Sequence, residues 1–179
     1  NAVSLLAGIP SIVYGFFGLT VIVPAIRNGL GGSGSSMLAA SVVLGIMILP
    51  TIINVSESAI RAVPESYYEG SLALGASHER SVFFTVLPAA KSGVFAAVIL
   101  GMGRAVGETM AVIMVAGNQT AMPGGPLQGL RTLTANIVLE MAYAADLHRG
   151  ALIATAVVLF VFILIINLSF SLLKRRAKL

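Results

Sequence analysis

A helix needs about 20 mostly apolar residues to cross a bilayer, and this chain carries four such stretches. Ala2 to Ile26 has no charge until Arg27, and Met37 to about Ser56 has none until Glu57. Ser92 to about Gly117 is apolar apart from Arg104 and Glu108, while Gly150 to Leu173 carries no charge. Of the 179 residues 57% are hydrophobic and only 10% charged, against about 25% charged in soluble domains. Such a chain lacks the polar surface to face water on all sides. The expected fold is an all-α, polytopic membrane helix bundle with spans near 2–26, 37–56, 92–117 and 150–173.

The breaks and connections divide these spans. Pro10, Pro24 and Pro50 interrupt the first two. In a membrane such breaks persist where neighbouring helices or polar side chains satisfy the freed carbonyls. Arg27 to Ser36 reads as a Gly/Ser turn, and residues 57–91 as a long, charged, partly helical loop. Residues 118–149 open with Pro123-Gly124-Gly125-Pro126 and continue as one short amphipathic helix, roughly Leu130 to Ala145. With the C-terminus inside, Arg61, Arg80, Lys91, Lys174, Arg175, Arg176 and Lys178 lie on the inner side and Arg27, Arg131 and Arg149 on the outer. Seven against three follows the positive-inside tendency, so the 57–91 loop and the C-terminus are expected to be cytoplasmic.

Several function classes fall away. Without cysteine there is no disulfide framework, thiolate metal site or thiol nucleophile. The net charge of +4 sits largely in the C-terminal cluster beside a hydrophobic run, and no aromatic-and-basic platform for nucleic acid accompanies it. Gly29, Gly31 and Gly34 spell G-x-G-x-x-G, but a membrane span follows and no strand precedes them, so a flexible turn is the better account. The G-x-x-x-x-G-K-[ST] pattern is absent, so the chain does not itself cradle ATP phosphates. His78 and His148 lie on opposite sides, are expected to be solvated, and make no metal site. Asn54 and Asn167 head sequons at or inside spans, where glycosylation is implausible, and Met102, Met110 and Met114 read as packing residues.

The 57–91 loop is the most informative segment. Pro64 suits a first helical turn, Gly75 and Ala76 break that helix, and Ser77 is set to cap a second one with Glu79 in its first turn. Pro88 is expected to end the second helix. Tyr68 and Leu72 stand one turn apart on a shared face. An amphipathic connector packed on its own spans would have the same composition; the spacing says more. Glu69, Gly70 and Ser71 precede Gly75, and Leu87-Pro88 follow it by twelve and thirteen residues.

In the third span Gly93, Ala97, Gly101 and Ala105 recur every four residues, and Gly103 and Gly107 repeat the pattern. Such faces let two membrane helices approach closely. An Arg and a Glu inside a span each cost about 2.5–3.5 kcal/mol on insertion scales, and such residues pair or line a polar path. Arg104 and Glu108, four apart, are placed to bond each other. One reading is a structural ion pair that fixes helix packing. The other is that Arg104 offers its planar donors to an oxyanion while Glu108 holds Arg104 in place.

The Glu69–Gly75–Leu87-Pro88 spacing resembles the EAA signature of ABC importer permeases, with Gly70 and Ser71 in place of its two alanines. Arg-Ala-Val-Gly-Glu-Thr-Met-Ala-Val at 104–112 and Ala-Gly-Ile-Pro-Ser at 7–11 are similar to the PstC-type family of bacterial phosphate importers. The resemblance covers essentially the whole chain. It implies a MetI-like ABC importer permease fold, with at least one further N-terminal span missing from a chain that opens at Asn1 without an initiating Met. It implies a multi-pass permease of the bacterial inner membrane that moves inorganic phosphate and catalyses no bond change. Its implied partners are a sister permease (PstA-like), ATPase subunits (PstB-like) that bind ATP and magnesium, a periplasmic or lipid-anchored phosphate-binding protein (PstS-like) and membrane lipid. No cofactor belongs to this chain. The implied substrate path is Arg104, Glu108 and Thr109. The implied ATPase coupling residues are Tyr68, Glu69, Gly70, Ser71, Leu72, Gly75, Ala76, Leu87 and Pro88. Rival readings are a permease for sulfate or molybdate, an ion-driven carrier or channel acting alone, and a membrane scaffold or sensor.

Overall fold

The computed structural model describes residues 2–176. Its helices are α1 Ala2–Ala7, α2 Ser11–Leu30, α3 Met37–Arg61, α4 Glu65–Ala73, α5 His78–Val106, α6 Met110–Val115, α7 Leu133–Met141 and α8 Asp146–Arg176. Among the described residues the only bridge between extended backbones joins Gly117 and Leu130. Four helices are long and apolar enough to cross a membrane: Ser11–Leu30, Met37–Arg61, His78–Val106 and Asp146–Leu172. Of the basic cluster expected at the C-terminal end, Lys178 lies outside the described residues.

The prolines act differently from one another. Pro10 cuts the first apolar run, since it lacks an N–H and its ring disfavours a helical residue before it. The Tyr14 hydroxyl donates to the Leu6 carbonyl at 2.8 Å, satisfying an acceptor at the end of α1. Pro24 and Pro88 do not end helices, contrary to the expectation for Pro88. Each is the second residue of the α segment that follows a π turn, Gly18–Ile22 within α2 and Val82–Val86 within α5. There the Val23 and Leu87 N–H groups bond five residues back, to Gly18 and Val82. The wider turn eases the clash between a proline ring and the carbonyl four residues before it. Helix α5 therefore runs unbroken from the loop into the third apolar stretch.

The core lies between α2, α3 and α6, where Tyr14, Val23, Val43, Met47, Val112 and Val115 are buried together. Close approach depends on glycine. A β-carbon on Gly15 would stand 2.8 Å from Ala111 Cα, and one on Gly18 2.8 Å from Val115 Cγ1. The small-residue face of α5 packs on α3: Ala97 is fully buried, Gly93 abuts Ala59, and a β-carbon on Gly101 would come within 2.6 Å of Ile52. Gly103 does not share this contact and faces open space. Helix α8 packs mainly on α7 and less on α5, leaving Val158, Phe160, Phe162 and Leu168 exposed.

Helix α7 is pinned by Arg131, whose Nε donates to the Asn118 carbonyl at 3.1 Å and whose Nη1 donates to Glu140 Oε1 at 2.6 Å. His148 Nε2 lies 3.7 Å from Glu140 Oε2, so this histidine is not simply solvated. The Tyr143 hydroxyl first, and then Arg131, hold the Glu140 carboxyl below its ordinary value of 4.5. A carboxyl lowered on folding stabilises above its unfolded pKa and loses that contribution as pH falls through the folded one. Protection of α7 amides against hydrogen exchange is expected to be level from neutral pH to about pH 5 and to fade in acid below that. Glu140→Gln would remove this acid dependence.

Candidate functional sites

The third apolar stretch is not one helix. Helix α5 ends at Val106 with Gly107 as its C-cap, and α6 starts at Met110. A break exposes orphan N–H and C=O groups, and side chains around it take them up. Glu108 Oε1 accepts from the Ala111 N–H at 3.1 Å, the Thr109 hydroxyl donates to the Gly107 carbonyl at 3.3 Å, and the Thr134 hydroxyl donates to the Glu108 carbonyl at 3.2 Å. The break is thus anchored to α7.

This geometry corrects the expected pairing of Arg104 with Glu108. Four-residue spacing brings two side chains together only on a continuous helix, and the helix stops between them. Glu108 turns to the start of α6, while the Arg104 Nη1 donates to Thr51 Oγ1 of α3 at 3.2 Å. The partner of the intramembrane cation is a neutral hydroxyl. Arg104 lines an open cavity of about 570 Å3 with Thr51, Gly103, Asn167 and the apolar Ala96, Ile99 and Leu100. Glu108 and Thr109 stand at the break beside it and are not among its lining residues. Sequence reasoning missed Thr51 and Asn167. Each is a polar residue in an otherwise apolar run with a few other hydroxyls and amides, and which helix it meets depends on inter-helix register.

The second site is the helix pair of the 57–91 loop. Gly75 has φ +85°, a left-handed conformation favourable only to glycine. The Ala76 N–H bonds to the Ser71 carbonyl at 3.2 Å and the Gly75 N–H to that of Leu72 at 2.9 Å, a Schellman closure of α4. Ser77 then caps α5, its hydroxyl accepting from the Arg80 N–H at 3.4 Å. The Tyr68 hydroxyl and His78 Nδ1 are 2.7 Å apart, and Thr85 Oγ1 donates to Ser71 Oγ at 3.4 Å. Tyr68 therefore turns toward α5 while Leu72 is exposed, so the two do not form one outward face: the Schellman turn folds α5 back across Tyr68. Glu69, Gly70 and Gly75 are exposed, Ala76 and Leu87 half-buried, and Pro88 exposed. Leu74 is 91% and Phe84 77% exposed, which leaves an apolar tip at this end of the bundle. The Arg80 guanidinium lies 5.9 Å from the centre of the Phe84 ring.

Over residues 1–179 the chain matches the family described as binding-protein-dependent transport system inner membrane component. The probable ABC transporter permease protein YqgH of Bacillus subtilis is 44% identical over 172 residues, covering 92% of this chain and 56% of the relative. The phosphate transport system permease protein PstC of Xylella fastidiosa is 35% identical over 181 residues, covering 90% and 56%. PstC 2 of Mycobacterium tuberculosis is 34% identical over 187 residues, covering 92% and 57%. The chain thus spans little more than half the length of these relatives. A chain of the MetNI methionine ABC transporter, solved in inward-facing conformations, aligns with a TM-score of 0.74 at 21% identity, over 98% of this chain and 72% of that one. At that identity the likeness speaks for the fold alone, a MetI-like helical bundle.

Proposed function

The chain belongs to the binding-protein-dependent transport system inner membrane component family, and from that membership we propose that it is the permease subunit of an ATP-driven importer of inorganic phosphate. The family supplies multi-pass membrane components of transport systems, so the chain is a transport part and not an enzyme. The observation that carries the reading is Arg104: a guanidinium on an apolar helix, bonded to Thr51 and not to a carboxylate, beside an open cavity. An unneutralised cation there favours an anion, and its planar fork matches a phosphate oxygen pair. The similarity to phosphate permeases narrows the anion. Glu108 and Thr109 hold the helix break that positions Arg104.

In this reading a phosphate-binding protein delivers the anion on the outer side, and a sister permease closes the other half of the path. ATPase subunits, which bind the ATP and magnesium, dock on the cytoplasmic helix pair. Leu72, Leu74 and Phe84 supply its apolar contact, Glu69 its charge, and the Gly75–Ala76 turn its shape. Tyr68 ties α4 to α5, Ser71 touches Thr85, and the exposed Gly70 leaves room for a close neighbour. Leu87 and Pro88 let α5 carry a push at the loop directly to Arg104, since the helix does not stop between them. The C-terminus lies in the cytoplasm.

The test is co-purification with an ATPase followed by ATP-dependent phosphate uptake in vesicles. Uptake that persists without any ATPase would overturn the reading in favour of a carrier or channel. Gly75→Val is expected to strain the left-handed turn by about 1–2 kcal/mol and to lower uptake per ATP hydrolysed while the complex still forms. A Gly75→Val importer with unchanged uptake per ATP would remove the turn from the coupling path.

A further inference from the structure

Two hydroxyls of α3 spend their protons on their own helix. Ser41 donates to the Met37 carbonyl and Ser58 to that of Asn54, each at 2.9 Å and one turn back, a common bond for a helical hydroxyl. Thr51, half-buried between them, is bonded across to α5 instead, its oxygen accepting from Arg104 Nη1 at 3.2 Å. The packing of the two helices sets that register. A β-carbon on Gly101 would stand 2.6 Å from Ile52 Cγ1 and 3.8 Å from Ile48 Cβ. Helix α5 thus lies tight against α3 within a turn of Arg104, and the residue beside Ile52 meets the guanidinium.

The kind of partner decides what the cation can still do. A guanidinium carries its N–H donors on a rigid plane and accepts nothing. A carboxylate set against it would take up a parallel pair of those donors and cancel the charge, leaving little attraction for an anion. A hydroxyl engages a single donor and brings no charge. Among the described residues no salt bridge includes Arg104, so the edge formed by Nε and Nη2 keeps the fork that matches a pair of phosphate oxygens. Arginine also loses rotamer freedom when a ligand fixes it, and a contact made beforehand lessens that loss. We propose that Thr51 is a positioning residue of the anion path: its hydroxyl oxygen holds Nη1 of Arg104, turns the Nε–Nη2 edge to the cavity, and leaves the positive charge uncompensated. The inference rests on the reading of Arg104 as the anion-binding cation.

The test reads Arg104 directly, in the assembled importer without its binding protein. Phenylglyoxal modifies accessible guanidinium groups, and an anion bound to Arg104 shields it. The inorganic phosphate concentration that halves modification of Arg104, followed by mass spectrometry, therefore reports occupancy. Thr51→Val keeps the shape and removes the acceptor, and is expected to raise that concentration by about three- to tenfold, the effect of one lost hydrogen bond. Thr51→Ser restores the oxygen and is expected to return the wild-type value. Thr51→Asp keeps an acceptor but adds the neutralising charge, so phosphate is expected to give no protection. A packing role would not produce this order, because Val fills the site as well as Thr, and Asp grips the guanidinium more tightly than either. Wild-type protection in Thr51→Val would overturn the proposal, as would a Thr51→Ser importer as weak as Thr51→Val. Should Thr51→Val fail to assemble, Thr51→Asp decides: protection equal to wild type there would overturn it too. The two levels separate cleanly. Absence of phosphate protection in the wild-type importer would defeat the anion reading of Arg104 itself, whereas protection that Thr51→Val leaves unchanged would defeat only the role of Thr51.

Discussion

Phosphate uptake through an importer carrying Arg104→Gln is expected to fall by about 10- to 100-fold, the effect of losing a charge-assisted hydrogen-bond donor. The Gln side chain can still reach toward Thr51, so insertion and assembly should survive, as a pull-down of the complex would check. Arg104→Lys is expected to recover part of the rate, because it restores charge but not the planar fork. The contrast with Glu108 is the sharper part. If the two residues formed an ion pair, Glu108→Gln would leave an unpaired guanidinium and disturb transport as much as Arg104→Gln. The carboxylate instead accepts from the Ala111 N–H, and a Gln oxygen can do the same. Glu108→Gln should therefore retain most uptake, while Glu108→Ala loses a helix cap worth about 1 kcal/mol and with it part of the positioning of the break. Equal loss in Arg104→Gln and Glu108→Gln would restore the ion-pair account.

The second large effect concerns packing. Gly93→Leu forces a side chain into the contact with Ala59 on α3, and no rotamer of Ala59 can move aside. Overpacking of this kind costs about 1–3 kcal/mol or separates the elements. Separation here means parting α3 from α5, the most extensive helix–helix contact in the molecule, and with it the distance from Arg104 to Thr51. The expected result is a lower melting temperature in detergent together with loss of uptake. Gly45→Ala is the control, since a β-carbon there meets nothing within 4 Å, and its helical position should gain about 0.5–1 kcal/mol from the lost flexibility of glycine. Equal melting temperatures for Gly93→Leu and Gly45→Ala would show that the small-residue face is not a helix contact.

Gly93, Ala97 and Gly101 could be assigned to a helix contact from sequence because their four-residue period is the period of a helix face, and a face of small residues has few uses other than close approach. Gly103 and Gly107 follow the same spelling without the same role: the first opens onto the cavity and the second caps the end of α5. Periodicity identifies a face but not what lies opposite it. Pro88 shows a related limit. Its missing N–H is a local fact, but whether the helix stops or widens into a π turn depends on whether the elements on both sides have packing to hold them in line.

Environment and local punctuation are thus legible in the residues alone. Four apolar stretches demand a membrane, Gly75 and Ser77 demand a turn between two helices, and the motif at 104–112 points to an intramembrane cation. These are legible because apolar length, left-handed turns and helix caps are properties of a few consecutive residues. The company each charge keeps, by contrast, is set by how the helices pack. Arg104 meets Thr51, fifty-three residues away in the chain, and shares a cavity with Asn167, while its near neighbour Glu108 turns to cap α6. Such pairings come from the register between packed helices and from one break at Gly107, and neither is written in the spacing of the residues that end up together.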